Sequence, residues 1–462
     1  MGHQGTAGRP AAAAGHRLRW MGQARVLLRT RRARRRGDAG AALRAVARGG
    51  GDAVGLRLRG RRVLLLLEPR LAGQLLAGHA AVTVKGPGQQ RIRPVLGDGL
   101  LTSEGADHQR ARRLVAPAFA PRRLAGYSRI FAQCTTDLTS GWADGARVDV
   151  YAEMAALTLR IAGLALLGTD LSARAPLVRA GLEAALADFG GTGAQDSRGG
   201  RGQQAGAYGA LHALVDDMIQ QHRAAAADTG DVLGALLAGP ADAGGAPGGG
   251  GAAGSGKLTG QEIHDQVLTL LLAGHETTAS ALTWTLYLLA GHQDVQRRLR
   301  AEVSALGGQP PGPGTLPSLG YTRAVISEAI RLYPPAWIIG RTLTTRLEIA
   351  GRRMPAGSVV AVSPLLLHHD PRWFPDPERF DPDRWLDDRR HAVPRHAYLP
   401  FGTGPRSCIG ERFAWAESVT VLAVLAQSWS FKTDPGRAPA PSYRVTLRPD
   451  GPVPLTVHAS PP

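Results

Sequence analysis

Lysine is almost missing from this chain: Lys85, Lys257 and Lys432 are the only ones among 55 basic residues in a sequence of 462. With 60 glycines and 32 prolines, the arginine excess reads as a coding bias. It removes most of the force from a formal net charge of +18 as a signal for phosphate binding. Aromatic residues are scarce as well, at 5%, and no basic stripe interleaved with stacking rings occurs, so no nucleic acid is expected as a partner. Cysteine is limited to Cys134 and Cys408, which excludes a disulfide framework and leaves free thiols or a metal ligand. No uninterrupted apolar run reaches the 18 or so residues of a spanning helix, so no transmembrane segment is expected. The first residues also lack a secretory pattern, and the expected location is cytoplasmic.

The charge that is present is uneven. Residues 1–50 carry an Arg/Ala/Gly-rich arm, densest at Arg31–Arg36, with Asp38 as its one acid; it reads as a partly disordered, solvated segment. Strand-like text begins at Val54 and a Gly-centred turn separates VGLRLRG from RRVLLLLEP. The chain then reads mainly helical to about Ala238. A glycine-rich stretch at 239–256 reads as a flexible insert, and strands are expected again near 342–363 and 443–458. The predicted class is mainly α with a minor β portion, α+β, in which residues 51–462 form one catalytic unit.

Two segments carry chemistry. Phe401–Gly410, FGTGPRSCIG, sets Cys408 after turn residues and just before a helical stretch beginning at Glu411. A thiol at a helix start lies near unpaired N–H groups and the positive end of the dipole, both of which favour the thiolate that a metal needs. Glycines at 402, 404 and 410 let backbone approach a flat cofactor. Zinc needs three or four ligands at short spacing, and no second Cys or His lies near; one thiolate with a macrocycle supplying the rest fits haem. The second segment is a helix opened by a capping box, Thr259-x-x-Glu262, and ended at Gly291. Much of it is apolar all round, over 267–273 and again over 279–290, and Gly274, His275, Glu276, Thr277 and Thr278 interrupt it in the middle, which is costly unless used. A threonine bonded back to its own helix carbonyl is the plainer account of such a position.

The pattern Phe401-x-x-Gly-x-Arg406-x-Cys408-x-Gly410 resembles the haem-binding signature of the cytochrome P450 family, and AGHETT (273–278) resembles that family's oxygen-activating motif. The resemblance runs from about Asp52 to the C-terminus and implies the P450 fold with haem b as cofactor. It implies Cys408 as the metal ligand, Phe401 shielding its sulfur, Gly402 and Gly410 in the loop, and Arg406 on a haem propionate. His108 and Arg112, four apart on one helical face, and Arg341 would reach propionates too. Thr277 would hydrogen-bond dioxygen and Glu276 would bring protons. Ala273, Gly274, Trp337, Ile338 and Ile339 would line the substrate pocket. Glu328 and Arg331, in SEAIRLYPP, would form a structural network completed by Arg379 of PERF.

The implied enzyme is a haem-thiolate monooxygenase of secondary metabolism, inserting one oxygen atom of O₂ into a hydrophobic small molecule such as a terpenoid, polyketide or fatty-acid-like product. No flavin or nucleotide domain fits beside it, so a separate electron donor is expected: a ferredoxin or flavodoxin with an NAD(P)H-dependent reductase, steered by Arg110, Arg113 and Arg412. A peroxide-using haem-thiolate enzyme or a non-catalytic haem-binding protein would keep Cys408 but would not need the Glu276–Thr277 pair.

Overall fold

The computed structural model describes residues 18–21, 26, 30–31, 33, 38–49, 51–58, 60–186, 198–225, 230–238, 257–434, 436 and 438–460. The insert read at 239–256 lies outside the described residues.

Helices dominate. The longest of the described helices, Gly260–Gly291, opens as its sequence dictates: Thr259 Oγ1 accepts from the Glu262 N–H at 3.2 Å, and Glu262 returns the bond to the Thr259 N–H at 2.8 Å. This central helix is buried along most of its length, polar side chains such as Asp265, Gln266 and Thr285 included. Against it pack the helices Val150–Leu167, Gly320–Leu332 and Glu411–Ser428. Val150–Leu167 has the length and apolarity of a membrane span, yet 61% of it is buried inside the fold. Its Leu166 and Ala162 lie against Gly274, where a Cβ would come within 3.3 Å of Leu166 Cδ1. The helix is a core element.

The β portion is small. A six-stranded sheet runs in the order Leu18–Met21, Ala53–Leu58, Arg61–Leu66, Val359–Val362, Ile339–Leu343, Thr83–Lys85. Its hairpin turns at Gly60, with φ +77°, where the sequence places the turn. A three-stranded sheet joins Trp429–Thr433, Pro454–Ala459 and Arg147–Asp149. A final hairpin pairs Pro441–Tyr443 with Leu447–Pro449.

Part of the arginine-rich arm, where it is described, packs on the fold. Leu18–Met21 pairs in parallel with Ala53–Leu58, and Asp38 caps a helix, Ala39–Ala47, accepting from the Ala41 N–H at 2.7 Å. Met21, Val26 and Val46 belong to one cluster with Val54, Leu56 and Leu65. Met21, Val26 and Val46 lie among the arm's arginines in the sequence. Removing residues 1–49 is therefore expected to lower stability by about 1.5–3 kcal/mol for each large apolar side chain lost from that cluster. Chemical denaturation checks this, and an unchanged midpoint would mean that the segment does not hold the sheet.

Candidate active site

The loop that presents Cys408 is shaped by its glycines. Gly402 and Gly404 adopt φ of +68° and +80°, and a Cβ on Gly404 would stand 2.4 Å from the Leu76 carbonyl oxygen, so no larger residue fits. The Cys408 N–H donates to the Phe401 carbonyl at 2.9 Å, closing the loop, and the Phe401 ring meets Trp415 edge-on at 5.7 Å. The helix Glu411–Ser428 starts directly after Gly410. Cys134, in contrast, is a buried core residue of the helix Pro121–Thr139.

Cys408 is deep in the fold and yet on the wall of open space, since its surface is exposed. In the metal-free chain burial pushes its thiol up to about 11, with Glu411 adding to the rise and the Gly410 N–H and Arg112 opposing it. Removal from water is the largest of these influences. A bound metal would have to displace the proton.

Next to the loop lies a group of cations around a single carboxylate. Arg112 Nη1 donates to the Ser407 carbonyl at 2.7 Å. Arg406 donates to Glu104 at 2.6 Å and to the Thr83 carbonyl at 2.9 Å. The Lys85 N–H donates to the same Glu104, and its Nζ to the Leu100 and Ser103 carbonyls at 2.8 and 2.6 Å. Burial lowers Lys85 to about 7, with Glu104 opposing and Arg406 and Arg341 adding. His108 falls to about 4 through burial and then through Lys85, Arg406, Arg112 and Arg341. Arg341 is 5% exposed, and its Nη1 donates to the Gly340 carbonyl at 2.9 Å. Burial and Arg406 hold it down at about 10. One carboxylate among three arginines, a lysine and a histidine leaves room for a further dianion here. Lys85 and Glu104 were not singled out from the sequence, where a lone Lys and a residue before a helix carry no signature.

The central helix opens at one place. Ala273 is exposed and Gly274 and Thr277 are half-buried in the midst of buried neighbours, on one face by their spacing. Thr277 Oγ1 donates to the Ala273 carbonyl at 2.7 Å, the back-bonded geometry that the sequence equally allowed. Glu276 is 9% exposed and accepts at Oε1 from the Thr446 hydroxyl at 2.8 Å and from Arg448 Nη1 at 3.3 Å. Neither partner was legible in the sequence, since both lie about 170 residues away. Trp337 and Ile339 are half-buried and Ile338 is exposed. Gly402 faces Ile339, whose Cδ1 would be 3.7 Å from an added Cβ, so this segment borders the cysteine loop.

The structural network differs from its sequence reading in one member. Glu328 and Arg331 are wholly buried and joined by two bonds of 2.8 Å. The third side chain is Arg384, whose Nε lies 3.2 Å from Glu328 Oε1, and Trp385 Nε1 adds a bond of 3.0 Å. Arg379 is exposed and contributes only its carbonyl, which accepts from Arg331 at 3.1 Å. PDRW (382–385), a second Pro-x-Arg-aromatic run just after PERF, was the missed signal. Arg110, expected to face an electron donor, is instead paired with Glu262, while Arg113 and Arg412 are exposed.

Among the described residues no group of three or more His, Cys, Asp or Glu is placed to share a metal ion. A lone reachable thiol, glycines at the close approaches and a cation group short of anions fit an iron porphyrin with two propionates. The Cytochrome P450 family model matches residues 203–456. Cyclooctatin synthase of Streptomyces melanosporofaciens is 42% identical over 86% of both chains. Cyclooctat-9-en-7-ol 5-monooxygenase of the same organism is 37% identical over 84% of both, and pentalenene oxygenase of Streptomyces avermitilis is 34% identical over 83% of this chain and 85% of its own.

Two outcomes follow from this geometry. Arg384→Ala takes one guanidinium from a fully buried carboxylate that keeps Arg331, Trp385 and the Asp381 N–H and is expected to cost about 1–3 kcal/mol, whereas Arg379→Ala, which keeps its carbonyl, costs little. Urea titration of the two variants tells them apart. The second concerns pH. The depressed His108 means that the unfolded chain binds an extra proton between its ordinary 6.5 and about 4. Its stabilising share is thus full above 6.5 and is lost as pH falls through that window. His108→Gln should flatten the loss of unfolding free energy over the same window, measured on the chain without ligand.

Proposed function

Given that the chain belongs to the cytochrome P450 family, an α+β fold of monooxygenases that bind haem b, we propose that Cys408 is its iron ligand and that its substrate is a cyclic terpenoid. The observation that carries the first part is the single thiol exposed to open space beside a group of buried cations short of anions. Arg341, His108, Arg112 and Arg406 would hold the propionates, Arg341 and Arg112 without first giving up a carboxylate partner such as the Glu104 that Arg406 holds. When bound, haem supplies the reductive activation of O₂ by which one oxygen atom enters the substrate.

The chain's own residues then have three tasks. The loop glycines and Phe401 shape the dry wall behind the sulfur. Ala273 and Gly274, with Trp337, Ile338 and Ile339, offer an apolar surface with few hydrogen-bonding groups, which suits a hydrocarbon skeleton. Glu276 and Thr277 move protons from a carboxyl oxygen to the Thr277 hydroxyl, which can turn from the Ala273 carbonyl toward the pocket. The relatives named for cyclooctat-9-en-7-ol and pentalenene support a terpenoid. Monooxygenases of this family need an electron donor and a hydrophobic substrate; we assign a separate ferredoxin or flavodoxin with its NAD(P)H reductase, and a cytoplasmic location.

The test has two arms. Cys408→Ala should abolish the red-shifted carbon-monoxide band of the reduced haem protein, while Cys134→Ala keeps it; a band that survives in the Cys408 variant rules out the ligand assignment. Cyclooctat-9-en-7-ol and pentalenene, titrated into the wild type, should shift its Soret band as they displace water from the pocket. No shift with either, alongside a shift with a fatty acid, would reject the terpenoid reading.

A further inference from the structure

Glu276 is held by the far end of the chain. Both of its donors, Thr446 and Arg448, belong to the C-terminal hairpin, whose register pairs Ser442 with Arg448 and Tyr443 with Leu447. The three-residue turn Arg444–Thr446 is therefore fixed on one side by the acid of the central helix. On the other side it is fixed by the segment bordering the cysteine loop. Trp337 Nε1 donates to the Arg444 carbonyl at 3.0 Å, the Leu447 N–H donates to the Pro335 carbonyl at 2.9 Å, and the Trp337 ring meets Tyr443 edge-on at 5.4 Å. Leu447 itself is buried against Trp284 of the central helix.

Burial makes the donors matter. A carboxylate this enclosed needs hydrogen bonds to replace water, and two donors on a stiff hairpin select one side-chain rotamer out of several. The Arg448 guanidinium also interacts with Tyr151 and Glu183, and Glu183 is exposed. The acid is thus linked, through the same arginine, to groups that reach the surface.

We propose that Thr446 and Arg448 are positioning residues for Glu276, and that through them the hairpin ties the direction of that acid to what occupies the space against Trp337. The inference rests on the reading of Glu276 as a proton carrier. A substrate that presses on Trp337 moves the Arg444 carbonyl, and with it the two donors. A ligand that leaves Trp337 untouched leaves the acid where the hairpin holds it.

The test uses the full haem-loaded chain and two kinds of measurement. Hydrogen exchange of peptides covering 271–280 needs no turnover. Arg448→Met and Thr446→Val should speed exchange there, while Arg448→Lys and Thr446→Ser restore protection. Electron consumption and peroxide release are then followed with a surrogate plant-type ferredoxin, its reductase and NADPH, without added substrate. Misdirecting a reacting group by about 1 Å can cost up to 100-fold. Arg448→Met should therefore slow consumption about tenfold or more in the native background, but hardly at all in a Glu276→Gln background. Equal slowing in both backgrounds, with exchange at 271–280 unmoved, overturns the proposal. If Glu276→Gln itself changes nothing in consumption, the proton-carrier reading fails, and the exchange data alone decide whether the hairpin positions the acid.

Discussion

A carboxylate with no exposure at all, that of Glu328, has to be surrounded by donors or it would not be there. Arg331 supplies a two-pronged bond, and Arg384, Trp385 and the Asp381 N–H supply the rest. The remaining guanidinium donors of Arg331 reach the carbonyls of His368, Pro377 and Arg379. His368 in turn accepts at Nε2 from the Leu399 N–H at 2.9 Å, two residues before Phe401. One charged pair thus stitches a helix to the irregular chain that leads into the cysteine loop. Replacing such a pair with apolar residues often costs little stability. Its value here is geometric, because the long irregular path from Asp370 to Cys408 has few regular hydrogen bonds of its own to define it.

The electrostatics of the centre point in a consistent direction. Cys408, Lys85, His108 and Arg341 are all pushed toward their neutral forms, and burial is the leading cause in each. A site in which the thiol resists ionisation and the bases resist protonation stores unfavourable desolvation that a cofactor can relieve. A metal held by Cys408 would take the place of the sulfur's proton, and propionates held by Arg341, His108 and Lys85 would favour the charged forms of those groups. Binding and folding are in this way coupled through the same groups.

The central helix shows the opposite economy. Its length and apolar character would bury it without incident, but a five-residue polar break is kept and supported from elsewhere. Glu276 is satisfied by the C-terminal hairpin, and Gly274 by close packing against Leu166 and Ala162. The break is tolerated because other elements supply what the helix cannot.

The sequence by itself determined the local features. The capping box at Thr259, the stop at Gly291, the turn at Gly60 and the glycine-shaped loop around Cys408 are each set by residues within a few positions of one another. Backbone sterics and local hydrogen bonds decide them, and motif order was enough to identify the family. Tertiary structure decided what depends on distant partners. It put Arg384 on Glu328 in place of Arg379, and drew Arg110 to Glu262. It folded the arginine arm's apolar residues onto the sheet, gathered Lys85 and Glu104 with the propionate-binding candidates, and brought Thr446 and Arg448 to Glu276. In each of these the competing side chains look alike in one dimension. Which arginine reaches a buried carboxylate is settled only when the fold fixes distances and excludes water.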